Sequence, residues 1–127
     1  MYRFRCGSKN ERGAAAVEMA LVLPVLLILV FGIIDFGRAL FTQQILTHAT
    51  REGVRVYAVT QETDAASAAF WRSASELDSG ATSVAVPGGG CTPGDPTRVS
   101  ATTGFDFIVL PLPSMTLRSE AVMRCGG

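Results

Sequence analysis

The sequence contains one histidine and three cysteines among its 127 residues, and this shortage argues against most catalytic and metal sites. A zinc site needs three or four protein ligands, and His48 has no cysteine or carboxylate at ligand spacing. One histidine also leaves no nucleophile and base that can be paired from the sequence. The segment GGGCTPG, residues 88–94, lacks the lysine and the following helix of a phosphate-binding loop. We therefore interpret His48 as a helix-surface residue and predict no enzymatic activity, cofactor, metal or small-molecule substrate.

The chain also lacks an excess of charge, since its 11 basic and 11 acidic side chains balance. The charges are nevertheless unevenly distributed. Residues 1–13 hold four basic and one acidic side chain, a formal charge of +3, which leaves −3 on residues 14–127. A basic segment before a membrane span indicates the cytoplasmic side. The basic residues downstream are scattered, so no nucleic-acid partner is predicted.

The features of a cleaved secretory signal are missing as well. From Ala14 to Ile34 nearly every residue is apolar or glycine, and Glu18 is the only charge. This run of 21 residues is longer than the apolar core of a secretory signal peptide. As a helix it would measure about 31 Å, the thickness of one bilayer core. No A-x-A site follows the run, and Cys6 precedes it, whereas a lipoprotein cysteine would follow. We predict a retained transmembrane helix over residues 14–36, with a kink near Pro24.

The helix is predicted to continue beyond the membrane to Val59, because no proline occurs from Asp35 onwards in this stretch. Small and apolar side chains recur there at helical spacing. The predicted buried stripe consists of Phe41, Ile45, Ala49, Gly53 and Val56, with Leu46 and Tyr57 beside it. The opposite, polar face carries Gln43, Gln44, Thr47, Thr50 and Arg51.

The remaining sequence predicts a small α+β domain. Asp64 is a plausible N-cap for a short helix that would end at Leu77. The segments TSVAVPG, TRVSATTGFDFIVLP and MTLRSEAVMR are typical of strands, with PLPS as the turn between the last two. We expect an antiparallel β-meander packed against the outer half of the long helix. The predicted regions are a flexible basic cytoplasmic leader (1–13), the transmembrane helix (14–36) and an extracytoplasmic α+β domain (37–127) that includes the amphipathic continuation of the helix.

The cysteines divide between the two sides of the predicted membrane. Cys6 falls on the cytoplasmic side, whereas Cys91 and Cys125 fall on the outer side, where disulfides persist. Two thiols in a small outer domain are usually joined. We predict a Cys91–Cys125 disulfide, with two free thiols as the alternative.

Glu18 requires an explanation, because an unpaired charge in hydrocarbon is costly. In one interpretation Glu18 lies in the headgroup layer, about 7 Å into the helix counted from Ala14. In the other, the chain is cut after Gly13, and Ala14 then carries a free ammonium at position 1 with Glu18 at position 5. The carboxylate of one subunit can then neutralise the ammonium of the next, and such a pair can set the register of an assembly.

The N-terminal region is similar to a prepilin processing site, because it has a basic leader, the RG dipeptide, the segment AAAVE and an apolar helix in that order. More specifically, the sequence from Arg12 to about Val59 resembles the TadE/TadG-like family of tight-adherence (type IVc) pilus assembly proteins. The resemblance implies a pilin-like fold and a minor pilin or pseudopilin in the bacterial cytoplasmic (inner) membrane. It also implies cleavage by a prepilin peptidase between Gly13 and Ala14, with Glu18 as the assembly carboxylate. Met19 departs from the Phe or Tyr that such pilins often carry.

Two functions from different classes follow from this resemblance. The first is a non-enzymatic minor pilin that is incorporated into the pilus, with other pilins and pilus-assembly membrane proteins as partners and a role in cell adhesion. The second is a permanently anchored, single-pass scaffold or docking protein of the same machine. A single-pass enzyme with an unrecognised site is the third and weakest alternative. The lipid bilayer is a partner in each.

Overall fold

The computed structural model describes residues 9–126. Most of the predicted leader, including Cys6, lies outside these described residues. The chain has an α+β fold, as predicted. In chain order its elements are α1 (Lys9–Thr60), α2 (Thr63–Ser73), β1 (Thr82–Ala85), β2 (Pro96–Phe105) and β3 (Met115–Arg124).

Helix α1 is the longest element, with 52 residues and a length of about 78 Å. It begins five residues before the predicted start, so residues 9–13, expected to be flexible, are helical. The helix continues through Pro24. It ends at Thr60, because Gln61 adopts a left-handed φ of 58°. The Gln61 amide still bonds to the Tyr57 carbonyl at 2.8 Å, a common form of helix termination.

The second half of α1 packs on the rest of the domain through a stripe that differs in part from the predicted one. Phe41 is exposed, whereas Thr50, which was assigned to the polar face, is buried. The Thr50 hydroxyl donates to the Leu46 carbonyl at 2.7 Å, so its burial leaves no unpaired donor. The stripe is rotated because both α2 and the sheet cover this half of the helix. Its buried residues are Leu46, Ala49, Thr50, Gly53, Val54, Tyr57 and Ala58.

Helix α2 is shorter than predicted, ending at Ser73 instead of Leu77. Its N-cap is Glu62 and not Asp64, and no side chain caps the first turn. Asp64 lies instead in the first turn, where a carboxylate favours the helix dipole. The helix lies close to α1 at Gly53, where an added Cβ would sit 3.5 Å from the Ala66 carbonyl oxygen.

The three strands form an antiparallel sheet in the order β1-β2-β3, as the predicted meander requires. Strand β3 has the predicted bounds. Strand β2 was predicted to reach residue 111, but it ends at Phe105, because the following segment turns back towards α1. The core between the sheet and the two helices contains Leu46, Ala49, Phe70, Ala74, Ala101, Phe105 and Leu117.

Candidate functional site: the exposed half of the long helix

The first half of α1 stands free of the folded domain. Every residue from 11 to 31 is exposed, including Leu21 and Val25, each with about two thirds of its surface accessible (70% and 66%). An apolar surface of this extent is covered by lipid or by another protein in a stable assembly. By length and composition the helix is able to cross a membrane. It therefore fits a single-pass anchor.

Gly13, Ala14 and Glu18 all lie on this exposed half. A Cβ added at Gly13 would meet nothing within 4 Å, so no packing contact explains the glycine. Glycine inside a helix is about 1 kcal/mol less favourable than alanine. The peptide bond between Gly13 and Ala14 is helical.

Glu18 is one helical turn beyond Ala14, so the two side chains lie on the same face of α1. None of the ion pairs within residues 9–126 includes Glu18. Glu18 is exposed, so its carboxylate is accessible to another subunit, to a headgroup or to water. The structure thus places the three predicted site residues on one short, uncovered stretch of helix.

Asp35, directly after the apolar run, is a site residue that the sequence analysis missed. Its residue surface is fully buried. One carboxylate oxygen, Oδ2, accepts the amides of Val109 at 3.1 Å and Leu110 at 2.9 Å. The other, Oδ1, accepts the Ile108 amide and an Arg38 Nη1–H, both at 3.4 Å. Asp35 thereby fixes the β2–β3 connection beside the end of the apolar run.

We name residues 107–113, with the sequence FIVLPLP, the apolar loop. The ring of Phe107 contacts Phe36 edge to face, with centroids 6.4 Å apart. The contact between this loop and Asp35 joins positions more than 70 residues apart. No spacing rule connects them. The only indication of this site in the sequence is a carboxylate directly after an apolar run, with Arg38 one helical turn further on.

The far end of the domain is held by a disulfide between Cys91 and Cys125, the pair that the sequence analysis predicted, with their Cα atoms 6.1 Å apart. The Cys125 amide also bonds to the Asp95 carbonyl at 2.9 Å. The Gly126 amide bonds to the Ala58 carbonyl of α1 at 3.0 Å. The end of β3 is thus fixed to the end of the long helix.

His48 is an exposed residue of α1, in an open groove between α1 and β3. Its charged neighbours include Arg51, Glu52 and Glu120. Over the part of the chain that the structure describes, no three His, Cys, Asp or Glu side chains converge as metal ligands would. Charged side chains of both signs and apolar side chains line this open groove together.

Comparison with known proteins identifies the same helix. Residues 13–55 match the model of a family described as TadE-like protein. The match begins at Gly13, includes Glu18 and Asp35, and ends within the buried half of α1. No curated protein and no solved structure matches the chain.

Proposed function

We propose that the protein is a non-enzymatic minor pilin or pseudopilin of a type IVc tight-adherence pilus, a proposal supported by the match of residues 13–55 to the TadE-like family model. One observation carries the proposal. The exposed half of α1 is an apolar helix of bilayer length whose single charge beyond the leader, Glu18, has no partner within residues 9–126.

The helix has two successive environments in this proposal. In the cytoplasmic membrane lipid covers its apolar side chains, with the basic N-terminus in the cytoplasm and the α+β domain on the outer side. In the assembled pilus the same side chains pack against the helices of neighbouring subunits. Both environments are apolar, so transfer between them leaves the apolar surface covered throughout.

Processing releases the segment before Ala14. A prepilin peptidase requires its substrate in an open conformation, and glycine lowers the stability of the helix at the cleavage point. Gly13 is close to the beginning of α1, where helices fray. The glycine serves this step, since it has no contact within the domain that would require it.

Cleavage gives Ala14 a free ammonium four residues before Glu18. The Glu18 carboxylate of one subunit then pairs with the Ala14 ammonium of its neighbour inside the helical bundle. A lone charge would be costly there, so the pairing favours the register in which every carboxylate meets an ammonium.

A specific observation favours the second candidate, a permanently anchored scaffold. Helix α1 runs without interruption from Lys9 through Gly13 and Ala14. A peptide bond within a helix must unwind before a protease can cut it. A protein that keeps this helix intact would remain in the membrane as a docking subunit for other pilins.

The two candidates differ in the N-terminus and in the fraction that contains the protein. The chain is expressed with the prepilin peptidase of its own pilus system. The protein is then recovered from sheared pili and from washed membranes, and each preparation is sequenced from its N-terminus. A chain in the pili that begins at Ala14 is expected for the minor pilin. A chain that begins at Met1 and occurs in the membranes alone would establish the scaffold instead.

A further inference from the structure

The apolar loop lies at the level where the long helix leaves its apolar run. Asp35 is the first residue after that run, which ends at Ile34. The amides of residues 108–110 bond directly to the Asp35 carboxylate. If residues 14–34 fill a bilayer core, the apolar loop therefore lies at its outer surface.

Most side chains of this loop are exposed, whereas Phe107 packs against the domain core. Ile108 is 72% exposed and Leu112 is 48% exposed, and Val109 is also accessible. Phe36, on the helix beside them, is exposed as well and contacts Phe107. No residue from 107 to 113 is charged. The exposed apolar surface of α1 thus continues sideways onto the loop.

The backbone N–H groups of the apolar loop are also suited to an environment with little water. The amides of residues 108, 109 and 110 bond to Asp35. Pro111 and Pro113 have no amide hydrogen. The remaining donor, the Leu112 amide, bonds to the Leu110 carbonyl at 2.8 Å. From residue 108 to 113 every backbone N–H is therefore either absent or bonded within the protein.

This arrangement is unusual for a surface connection. Loops in water commonly leave backbone donors to the solvent, but a donor without a partner is costly in lipid. Proline and an internal carboxylate acceptor remove that cost in this loop. We infer that the apolar loop inserts its exposed side chains into the outer interfacial layer of the bilayer, as a second lipid contact beside the anchor.

The location of the loop favours lipid as its occupant. The apolar surface is continuous with the anchor, and Asp35 fixes it at the same height. The inference rests on the membrane anchor in the proposed function and adds a lipid-binding element in the α+β domain. Insertion on one side of the helix would also set the rotation of the domain relative to the membrane, and with it the face that is presented to other subunits.

Tryptophan fluorescence in vesicles provides the test. Trp71 is the only tryptophan in the chain, so Trp71→Phe gives a background without indole emission. Single tryptophans are introduced into the full chain by Ile108→Trp, Val25→Trp and Val122→Trp. Each variant is reconstituted in phosphatidylcholine and phosphatidylglycerol vesicles, with and without lipids brominated along the acyl chain.

Val122 is the matched control, because it is an exposed apolar residue on β3 beside Arg51 and Arg55 of α1, far from Asp35 along the helix. The expected result is strong quenching for Val25→Trp and Ile108→Trp, with quenching of the latter greatest for bromines near the headgroup. Val122→Trp is expected to show emission typical of water and no lipid-dependent quenching.

The outcomes separate the inference from its premise. Quenching of Val25→Trp, with Ile108→Trp no more quenched than Val122→Trp, would overturn lipid contact by the loop and leave the anchor intact. Absence of quenching in Val25→Trp would overturn the anchor and the inference together. Shielding of Ile108→Trp from aqueous acrylamide in assembled pili, without quenching in vesicles, would assign the loop to a protein neighbour and overturn lipid as its occupant.

Discussion

Asp35 and Leu110 are joined across 75 sequence positions, with Oδ2 of Asp35 accepting the Leu110 amide at 2.9 Å. The bond connects the end of the apolar run in α1 to the β2–β3 connection. The position of the domain relative to the anchor is therefore fixed by a tertiary contact as well as by the helix backbone.

Asp35→Asn is expected to release the apolar loop. The asparagine side chain has the size of the carboxylate. Its NH2 group is a hydrogen-bond donor, however, and it would replace one of the two oxygens that accept the backbone N–H groups of the loop. Hydrogen exchange at the amides of residues 108–110 should accelerate by about tenfold, measured on the protein in detergent. Glu52→Gln is the control, because the exposed pair between Glu52 and Arg55 should contribute little to stability. Unchanged exchange in Asp35→Asn would show that the loop is held by its other contacts.

Cys91→Ser is expected to destabilise the α+β domain. The disulfide closes a loop between residues 34 positions apart, and its loss should lower the free energy of unfolding by about 3–4 kcal/mol in the chain-entropy model. In a Cys6→Ser background, alkylation of the unreduced protein should modify neither remaining cysteine. Full modification of both Cys91 and Cys125 before reduction would contradict the bond.

Tyr57→Phe is expected to leave stability unchanged or to raise it by up to about 1 kcal/mol. The Tyr57 hydroxyl is buried and has no hydrogen-bond partner within residues 9–126, so its removal should not break a bond. Tyr57→Ala is the matched control, which should destabilise the domain by about 3–5 kcal/mol because it leaves a cavity. Thermal unfolding of both variants gives the comparison. A clear loss of stability in Tyr57→Phe would indicate a partner for the hydroxyl, such as a bound water.

The sequence predicted the elements better than the contacts between them. Strand β3 was located correctly because Met115–Arg124 has a strand pattern bounded by turn residues. The long helix was recognised because its first half is apolar throughout and its second half has helical spacing. Periodicity along one element does not show how many neighbours cover it, so the predicted stripe included the exposed Phe41 and missed Thr50.

Within the candidate site, Gly13, Ala14 and Glu18 could be selected because they are close together in the sequence. Asp35 could not, because its partners are backbone amides more than 70 positions away. Backbone amides have no signature in the amino-acid sequence. The end of β2 was misplaced for the same reason, since FIVL has the composition of a strand, while the amides of residues 108–110 bond to the Asp35 carboxylate.

Gly13→Val is expected to yield an uncut precursor that is 13 residues longer than the mature chain. The added side chain blocks the peptidase cleft, but it meets nothing within 4 Å in the protein itself. Gly32→Val is the matched control, since Gly32 is on the same helix and is equally free of neighbours. Mass spectrometry of both variants made with the peptidase shows the outcome. Normal cleavage of Gly13→Val would contradict the assignment of the cleavage site.

Incorporation of Glu18→Gln into pili tests the central claim most directly. The amide keeps the size of the side chain and removes its charge, and Glu11→Gln in the leader is the control. We expect Glu18→Gln to be cleaved and inserted but absent from sheared pili, because breaking a buried ion pair from one side costs about 3–5 kcal/mol. Glu11→Gln should assemble normally, since cleavage removes that position. Incorporation of Glu18→Gln at the level of the unaltered protein would contradict the role of Glu18 in assembly and leave the headgroup interpretation.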